Sequence, residues 1–118
     1  MEQSELVTVE AEALDRPAVD LVRVIGELDF ASTPLLSTAL AGRPGPGRAL
    51  VLDLSRLEFC DSSGLGELIA AHKRATTTGR GLYLADVGPA VRAAITATSL
   101  DQLFVIRSDV AAVLAELS

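Results

Sequence analysis

Cysteine, histidine and lysine each occur once in this chain, tryptophan is absent, and aromatic residues make up only 3%. One cysteine excludes an internal disulfide, and one cysteine with one histidine excludes a zinc site built from those ligands. The sequence lacks a hydrophobic run long enough to span a membrane. Its beginning, Met1-Glu2-Gln3-Ser4-Glu5, lacks the basic and apolar regions of a signal peptide. We therefore expect a cytoplasmic protein with no cofactor, no bound metal and no membrane contact.

Basic residues are also few, because ten lysines and arginines face sixteen acidic residues and the net charge is -6. A general nucleic-acid binder needs a basic surface to neutralise phosphates, so no direct nucleic-acid binding is expected. The 118 residues are 49% hydrophobic and 22% charged, which is typical of a globular domain and excludes a disordered chain. We predict one domain over residues 1–118 with its core at about 6–117.

The first half of the chain predicts a hairpin followed by a helix. Leu6 to Ala13 alternates apolar and polar residues, which indicates a half-buried strand, and a turn at 15–17 leads to a second strand over Val19–Gly26. Thr33 suits the N-cap of the helix, and Pro34 suits its first helical position. Residues 43–48, rich in glycine and proline, are expected to form an exposed loop.

The second half alternates apolar runs with helical patterns. The runs predict buried strands at Ala49–Leu54, Leu82–Ala85 and Leu103–Ile106. Helices are predicted near 33–41, 63–77, 89–98 and 108–117, the last with Ser108 as its cap. The alternation predicts an α/β fold, with a mixed, mainly parallel sheet, an antiparallel N-terminal edge strand and four main helices.

In such a sheet, functional groups gather at the carboxyl ends of the parallel strands. We therefore expect Asp29 and Ser62 to share one rim, within ~15 Å of each other, although 33 positions separate them. The full set of rim candidates is Glu27, Asp29, Phe30, Ser32, Asp61, Ser62, Ser63, Asp86, Gly88, Arg107 and Ser108.

The segment Phe59–Gly66 is the densest of these groups. Ser62 and Ser63 lie at the start of a helix, whose free N–H groups and dipole stabilise a phosphate. Gly64 and Gly66 would let the backbone of another protein approach closely. This combination indicates a phosphorylatable serine on a docking surface. The alternative, which the residues alone favour, is that both serines cap the helix and the glycines belong to the turn.

No catalytic constellation is evident, so we do not expect an enzyme. His72 lies ten residues after Ser62, which is about 15 Å along a helix and too far for a nucleophile–base pair. Cys60 is expected to be a small buried hydrophobe without a reactive thiol. A magnesium site is disfavoured because no adjacent acidic pair follows a strand; its candidate ligands would be Asp29, Asp61 and Asp86.

Three segments together resemble a known family. They are the turn Gly26-Glu27-Leu28-Asp29, the strand LVLDL, and Leu57–Gly66 with its D-S-S-G-L motif. In this order they resemble the STAS domain, and in particular the bacterial anti-sigma factor antagonists, over roughly Leu6 to Leu117. The resemblance implies a single STAS-like domain.

The resemblance also implies a switch. Such antagonists bind an anti-sigma factor that is also a serine kinase, so that the sigma factor is released and transcription is regulated. The kinase phosphorylates a serine at this helix start, which switches the antagonist off, and a phosphatase resets it. By motif position Ser62 matches the phosphoacceptor and Asp29 an acid near it, which leaves Ser63 as the expected cap. The implied partner-binding residues are Asp29, Asp61, Ser62, Ser63, Gly64, Leu65 and Gly66.

Two other functions stay open. One is a STAS scaffold or adaptor subunit of a stress-signalling or lipid-transport complex; a serine where such modules commonly carry threonine favours the antagonist. The other is a small-molecule binder that uses the rim as an anion site, for which Arg107 is the only basic rim candidate.

Overall fold

The computed structural model describes residues 7–118, apart from the side chain of Thr78. Leu6, the predicted first residue of the N-terminal strand, and the acidic beginning at residues 1–5 lie outside the described residues. Along the described part of the chain, strands and helices alternate in the predicted order, with one additional strand. The strands are β1 (Val7–Asp15), β2 (Ala18–Leu28), β3 (Ala49–Asp53), β4 (Leu57–Cys60), β5 (Leu82–Ala85) and β6 (Val105–Arg107). The helices are α1 (Thr33–Leu40), α2 (Ser62–Thr78), α3 (Pro89–Ala97) and α4 (Val110–Leu117), with a 3₁₀ turn at Leu100–Gln102.

The strands form one sheet in the order β1-β2-β3-β5-β6, and β4 pairs with β2. β1 is antiparallel to β2, and every other strand pair in the described residues is parallel. The predicted α/β fold is therefore confirmed: the described residues form a mixed, mainly parallel sheet with an antiparallel N-terminal edge strand and four helices.

The core has a layer on each face of the sheet. Alternate residues of the central strands point to opposite faces, as Leu50 and Leu52 face one cluster while Ala49 and Val51 face the other. Side chains of α1, α2 and α3 cover the first cluster, and α4 covers the second through Val113. Burial on both faces explains the uninterrupted apolar run of β3.

β2 is long enough to pair with two strands in succession. Its first part pairs with β3 from Val19 to Arg23, and its last part pairs with β4 from Gly26 to Leu28. Gly26 lies where the partner of β2 changes from β3 to β4, and its φ is 107°, which residues with a side chain rarely adopt. The glycine of the GELD segment therefore lets β2 carry on past the end of β3.

β4 was not predicted from the sequence. It is only four residues long and contains a bulge, since Gly26 pairs with Leu57 but Glu27 pairs with Phe59, so that Glu58 is the extra residue. The bulge breaks the two-residue alternation by which a strand is recognised. β4 extends the rim beyond β3, at the point where α2 begins.

Two further boundaries differ from prediction. The last strand is Val105–Arg107 and not Leu103–Ile106. The N-cap of α4 is Asp109 and not Ser108, because the Asp109 carboxylate accepts a hydrogen bond from the N–H of Ala112.

The prediction of an exposed loop at 43–48 is only half right, because Arg48 and Asp20 bind the loop to the sheet. The Arg48 Nε donates to Asp20 Oδ1 at 3.0 Å, and its guanidinium also donates to the Val19 carbonyl at 2.8 Å. Asp20 Oδ2 accepts from the N–H of Gly45 at 3.0 Å. Pro44 is buried, so only the tip of the loop is solvated.

Candidate functional site

The rim site lies where β2 and β4 end side by side. Leu28 pairs with Cys60 in the parallel ladder, and the N–H of Asp61 donates to the Leu28 carbonyl at 3.0 Å. A second hydrogen bond joins the loop after β2 to the start of α2, since the N–H of Phe30 donates to Asp61 Oδ2 at 3.2 Å. Asp29 precedes Phe30 and Ser62 follows Asp61, so Asp29 and Ser62 share one rim, as expected from the parallel strands.

The Asp61 carboxylate joins the two loops and caps α2. Its Oδ1 accepts the N-cap hydrogen bond from the N–H of Gly64 at 3.1 Å, while its Oδ2 accepts the hydrogen bond from the N–H of Phe30. The expectation that Ser63 caps this helix is wrong. Asp61 has the extended backbone of an N-cap and its carboxylate makes the cap bond, whereas Ser63 is already the second residue of the helix.

Ser62 is consequently the first residue of α2 and its side chain is exposed. The cap bond is made by Asp61, so the hydroxyl of Ser62 is not needed to hold the helix. The first N–H groups of a helix have no acceptor within it and carry the positive end of its dipole. Ser62 thus combines an accessible hydroxyl with an environment that tolerates an added anion. Ser63 is half-buried beside it.

Asp29 is engaged in a local hydrogen-bonded turn with Ser32. Asp29 Oδ1 accepts from the N–H of Ser32 at 2.9 Å, and the Ser32 Oγ accepts from the N–H of Asp29 at 2.9 Å. The carbonyl of Asp29 accepts from both the N–H and the hydroxyl of Thr33. Ser32 occupies the N-cap position of α1, so the prediction of Thr33 as the N-cap is one residue late.

This turn orients Asp29, and the role of Ser32 in it was not predicted from the sequence. Ser32 is only 4% exposed, and its buried hydroxyl is satisfied because it lies 3.0 Å from both Asp29 Oδ1 and the Glu27 carbonyl. The signal was available: an Asp followed three residues later by Ser is typical of a turn closed by side-chain bonds.

The two glycines of the motif face opposite ways. Gly64 is buried, and a Cβ at this position would lie 2.7 Å from Cys60 Sγ and 2.9 Å from the Leu28 side chain. A Cβ on Gly66 would meet nothing within 4 Å, and this residue is exposed. The open approach expected at both glycines therefore exists only at Gly66. Leu65 is 6% exposed and packs in the core beneath the rim.

Cys60 is buried behind the helix start, as expected. Burial, and secondarily the negative charge of Asp61, raises the pKa of the Cys60 thiol to about 12. A thiol with this pKa is protonated at neutral pH and is a poor nucleophile.

The remaining rim candidates show no comparable arrangement. Arg107 forms a paired contact with Glu116 at 2.7 and 3.2 Å, and their hydrogen bond raises the pKa of Arg107 and lowers that of Glu116. Asp86 is exposed, with a φ of 57°. His72, which is not a rim residue and was considered only as a catalytic base, lies within α2 and packs edge-on against Phe104 with ring centroids 6.1 Å apart.

Across residues 7–118 no three histidine, cysteine, aspartate or glutamate side chains gather as metal ligands would. None of the helices described is both long enough and apolar enough to cross a membrane.

Comparison with known proteins agrees with this geometry. The STAS domain model matches residues 10–113. A crystal structure of an anti-sigma factor antagonist from Mycobacterium paratuberculosis is 33% identical, covers 94% of this chain and 93% of its own, and superposes with a TM-score of 0.81.

Two more distant structures share the fold. The anti-sigma factor antagonist SpoIIAA in its unphosphorylated form is 22% identical over 90% of this chain and 93% of its own, with a TM-score of 0.66. The phosphorylated form of the Bacillus cell fate determinant SpoIIAA is 19% identical over 90% of this chain and 96% of its own, with a TM-score of 0.63. With a family model that spans nearly the whole chain and a structural relative at 33% identity, the chain belongs to the STAS domain family.

Proposed function

We propose that this chain is an anti-sigma factor antagonist that binds an anti-sigma factor with serine kinase activity and is switched off by phosphorylation of Ser62. The observation that carries the proposal is the exposed Ser62 at the first position of α2, freed from capping by Asp61. The 33% identical relative is itself an anti-sigma factor antagonist. SpoIIAA, which shares the fold, exists in unphosphorylated and phosphorylated forms.

The local electrostatics favour a switch that leaves the fold intact. A phosphate on Ser62 adds about -1.5 to -2 charges at pH 7. The N-terminus of α2 offsets part of this charge, and the neighbouring Asp61 carboxylate is held by two N–H donors. The domain therefore accommodates the phosphate at its surface.

A partner docked over a neutral Ser62 does not accommodate it. The phosphate adds bulk at the contact, must lose its hydration shell there, and is repelled by any phosphate of the kinase's nucleotide that faces the hydroxyl. Binding to the kinase is consequently lost after phosphorylation, and a phosphatase that removes the phosphate restores it.

The seven proposed partner-binding residues take different positions in this scheme. Ser62 and Gly66 are exposed and lie at the contact itself, while Asp29, Asp61 and Ser63 are half-buried at its border. Gly64 and Leu65 support the helix start from the core side, and their contribution is to position it.

The test is phosphorylation in vitro. The purified chain is incubated with ATP and each anti-sigma factor kinase encoded in its source genome, and the modified residue is located by mass spectrometry. We expect one phosphate on Ser62 and none in Ser62→Ala, which still binds the kinase. Ser62→Asp should fold but bind more weakly, by less than the phosphate does because it carries a single charge.

Ser63→Ala is the matched control. Asp61 provides the cap, so Ser63→Ala should keep both its stability and its phosphorylation on Ser62, whereas Asp61→Ala should lose about 0.5–2 kcal/mol of stability. Phosphate on Ser63, or full phosphorylation of Ser62→Ala, would overturn the assignment. The absence of phosphorylation by every such kinase would overturn the proposed function.

A further inference from the structure

Two exposed phenylalanines flank the Ser62 site, although few large apolar side chains of the described chain face solvent. Phe30 is 80% exposed and Phe59 is 48% exposed. The other two such side chains among the described residues are Leu35 on α1 and Leu103 before β6. Phe30 precedes α1 and bonds to Asp61 through its backbone, and Phe59 lies two residues before Asp61. Grouped exposed aromatics are a common mark of a protein-binding surface.

The bulge in β4 is what turns Phe59 outward. In a regular strand Phe59 would share a face with Leu57, which is buried. The extra residue Glu58 shifts the alternation by one, so that Cys60 takes the buried face and Phe59 the solvent face. Bulges beside functional sites re-aim side chains in this way. The exposure of Phe59 is therefore built into the backbone.

Phe30 is held outward by a fixed turn. Its N–H is bound by Asp61, and the reciprocal bonds between Asp29 and Ser32 close the turn around it. The backbone that presents the ring is thus ordered before any partner arrives. A backbone that is already ordered loses less conformational entropy when a partner binds.

The charges around Phe30 and Phe59 indicate which kind of partner binds them. The charged residues next to the two rings in sequence, in strand register or by hydrogen bond are all acidic: Glu27, Asp29, Glu58 and Asp61. A second copy of this chain docked face to face would bring these carboxylates together, which is unfavourable. A complementary partner offers an apolar pocket bordered by basic side chains.

We propose that Phe30 and Phe59 are aromatic anchors that insert into an apolar, basic-bordered pocket of the anti-sigma factor kinase. The proposal rests on the proposed function and adds the surface by which that kinase recognises this chain. A basic border attracts both forms, and the more negatively charged phosphorylated form more strongly, so it governs the association rate and does not itself select the unphosphorylated form. Discrimination between the two forms then comes from the contact at Ser62 and acts on the dissociation rate.

The experiment measures binding of the purified kinase that phosphorylates Ser62 to the wild-type chain and to Phe30→Ala, Phe59→Ala and the double variant, by surface plasmon resonance. Leu103→Ala is the matched control, because it removes an exposed apolar side chain at the amino end of β6, on the opposite edge of the sheet. Circular dichroism checks that each variant is folded. We expect Phe30→Ala to weaken binding at least about tenfold, mainly through faster dissociation, and Leu103→Ala to stay within about twofold of wild type.

Three outcomes overturn the inference, and they are distinguishable. If Ser62 is phosphorylated but both phenylalanine variants bind within about twofold of wild type, the anchors are wrong and the proposed function stands. If no kinase phosphorylates Ser62, the proposed function fails and the inference with it. If sedimentation shows a dimer of the wild-type chain that Phe30→Ala dissociates, the surface serves a second copy of this chain.

Discussion

Gly64→Ala tests how tightly the start of α2 is packed on the core. The added Cβ would lie 2.7 Å from Cys60 Sγ and 2.9 Å from the Leu28 side chain, where ordinary carbon contacts are about 3.5–4.0 Å. Cys60 is only 6% exposed and Leu28 is fully buried, so neither side chain has free space to move into. Overpacking of this kind typically costs about 1–3 kcal/mol.

An opposing effect reduces the net loss. Alanine is favoured over glycine inside a helix by up to about 1 kcal/mol. We therefore expect Gly64→Ala to lower the free energy of unfolding by about 1–2 kcal/mol, which corresponds to a fall in Tm of roughly 4–10 °C for a chain of this size. Thermal and urea denaturation, followed by circular dichroism, measure both quantities.

Gly66→Ala is the matched control on the same helix. Its Cβ meets nothing within 4 Å, so only the helix preference acts and the variant should gain up to about 1 kcal/mol. Adding Cys60→Ala to Gly64→Ala removes the sulfur contact and should recover part of the loss, seen as favourable coupling in a double-mutant cycle. Equal stability of Gly64→Ala and Gly66→Ala would refute the packing argument.

Two further predictions concern buried polar groups. Asp20→Ala leaves the half-buried Arg48 guanidinium without its carboxylate and should lower the free energy of unfolding by about 1–3 kcal/mol. Glu12→Ala breaks an exposed pair with Arg23 and should change the free energy of unfolding by less than about 1 kcal/mol. Equal losses for the two variants in urea denaturation would contradict this prediction. Burial raises the pKa of Cys60 from its ordinary value of 9.0 to about 12, so the native state keeps this proton more tightly than the unfolded state. The contribution of the Cys60 thiol to the free energy of unfolding is at its maximum below pH 9 and is lost as the pH rises towards 12. Cys60→Ala should therefore flatten the decline in the free energy of unfolding between about pH 8 and 10.5. The same slope in the wild-type and variant proteins would count against this prediction.

The element order could be predicted from local patterns, and the reason is physical. A short apolar run such as that in Ala49–Leu54 is typical of a strand covered on both faces, and helical periodicity together with breakers such as Gly42 and Pro89 limits the helices. The rim followed, because parallel strands place their carboxyl ends together. The D-S-S-G-L motif then pointed to Ser62 within this rim.

Some local choices could not be predicted, because several residues compete for one role. Asp61, Ser62 and Ser63 are all suitable caps in sequence, and only the strand register that places Asp61 beside Leu28 selects it. Ser108 and Asp109 present the same ambiguity at α4. Capping preference is similar among these residue types, so tertiary position decides.

The sequence by itself determined the α/β class, the strand and helix order, and the position of the D-S-S-G-L motif, because these depend on periodicity and on residues close in the chain. The tertiary structure decided which groups meet across long separations. It placed Asp20 beside Arg48, brought Phe30 to Asp61, and buried Gly64 while exposing Gly66. It also left Ala11 and Ala13 of β1 exposed despite their regular alternation. Such contacts depend on register, bulges and the reach of covering helices, which are settled only when all the elements pack together.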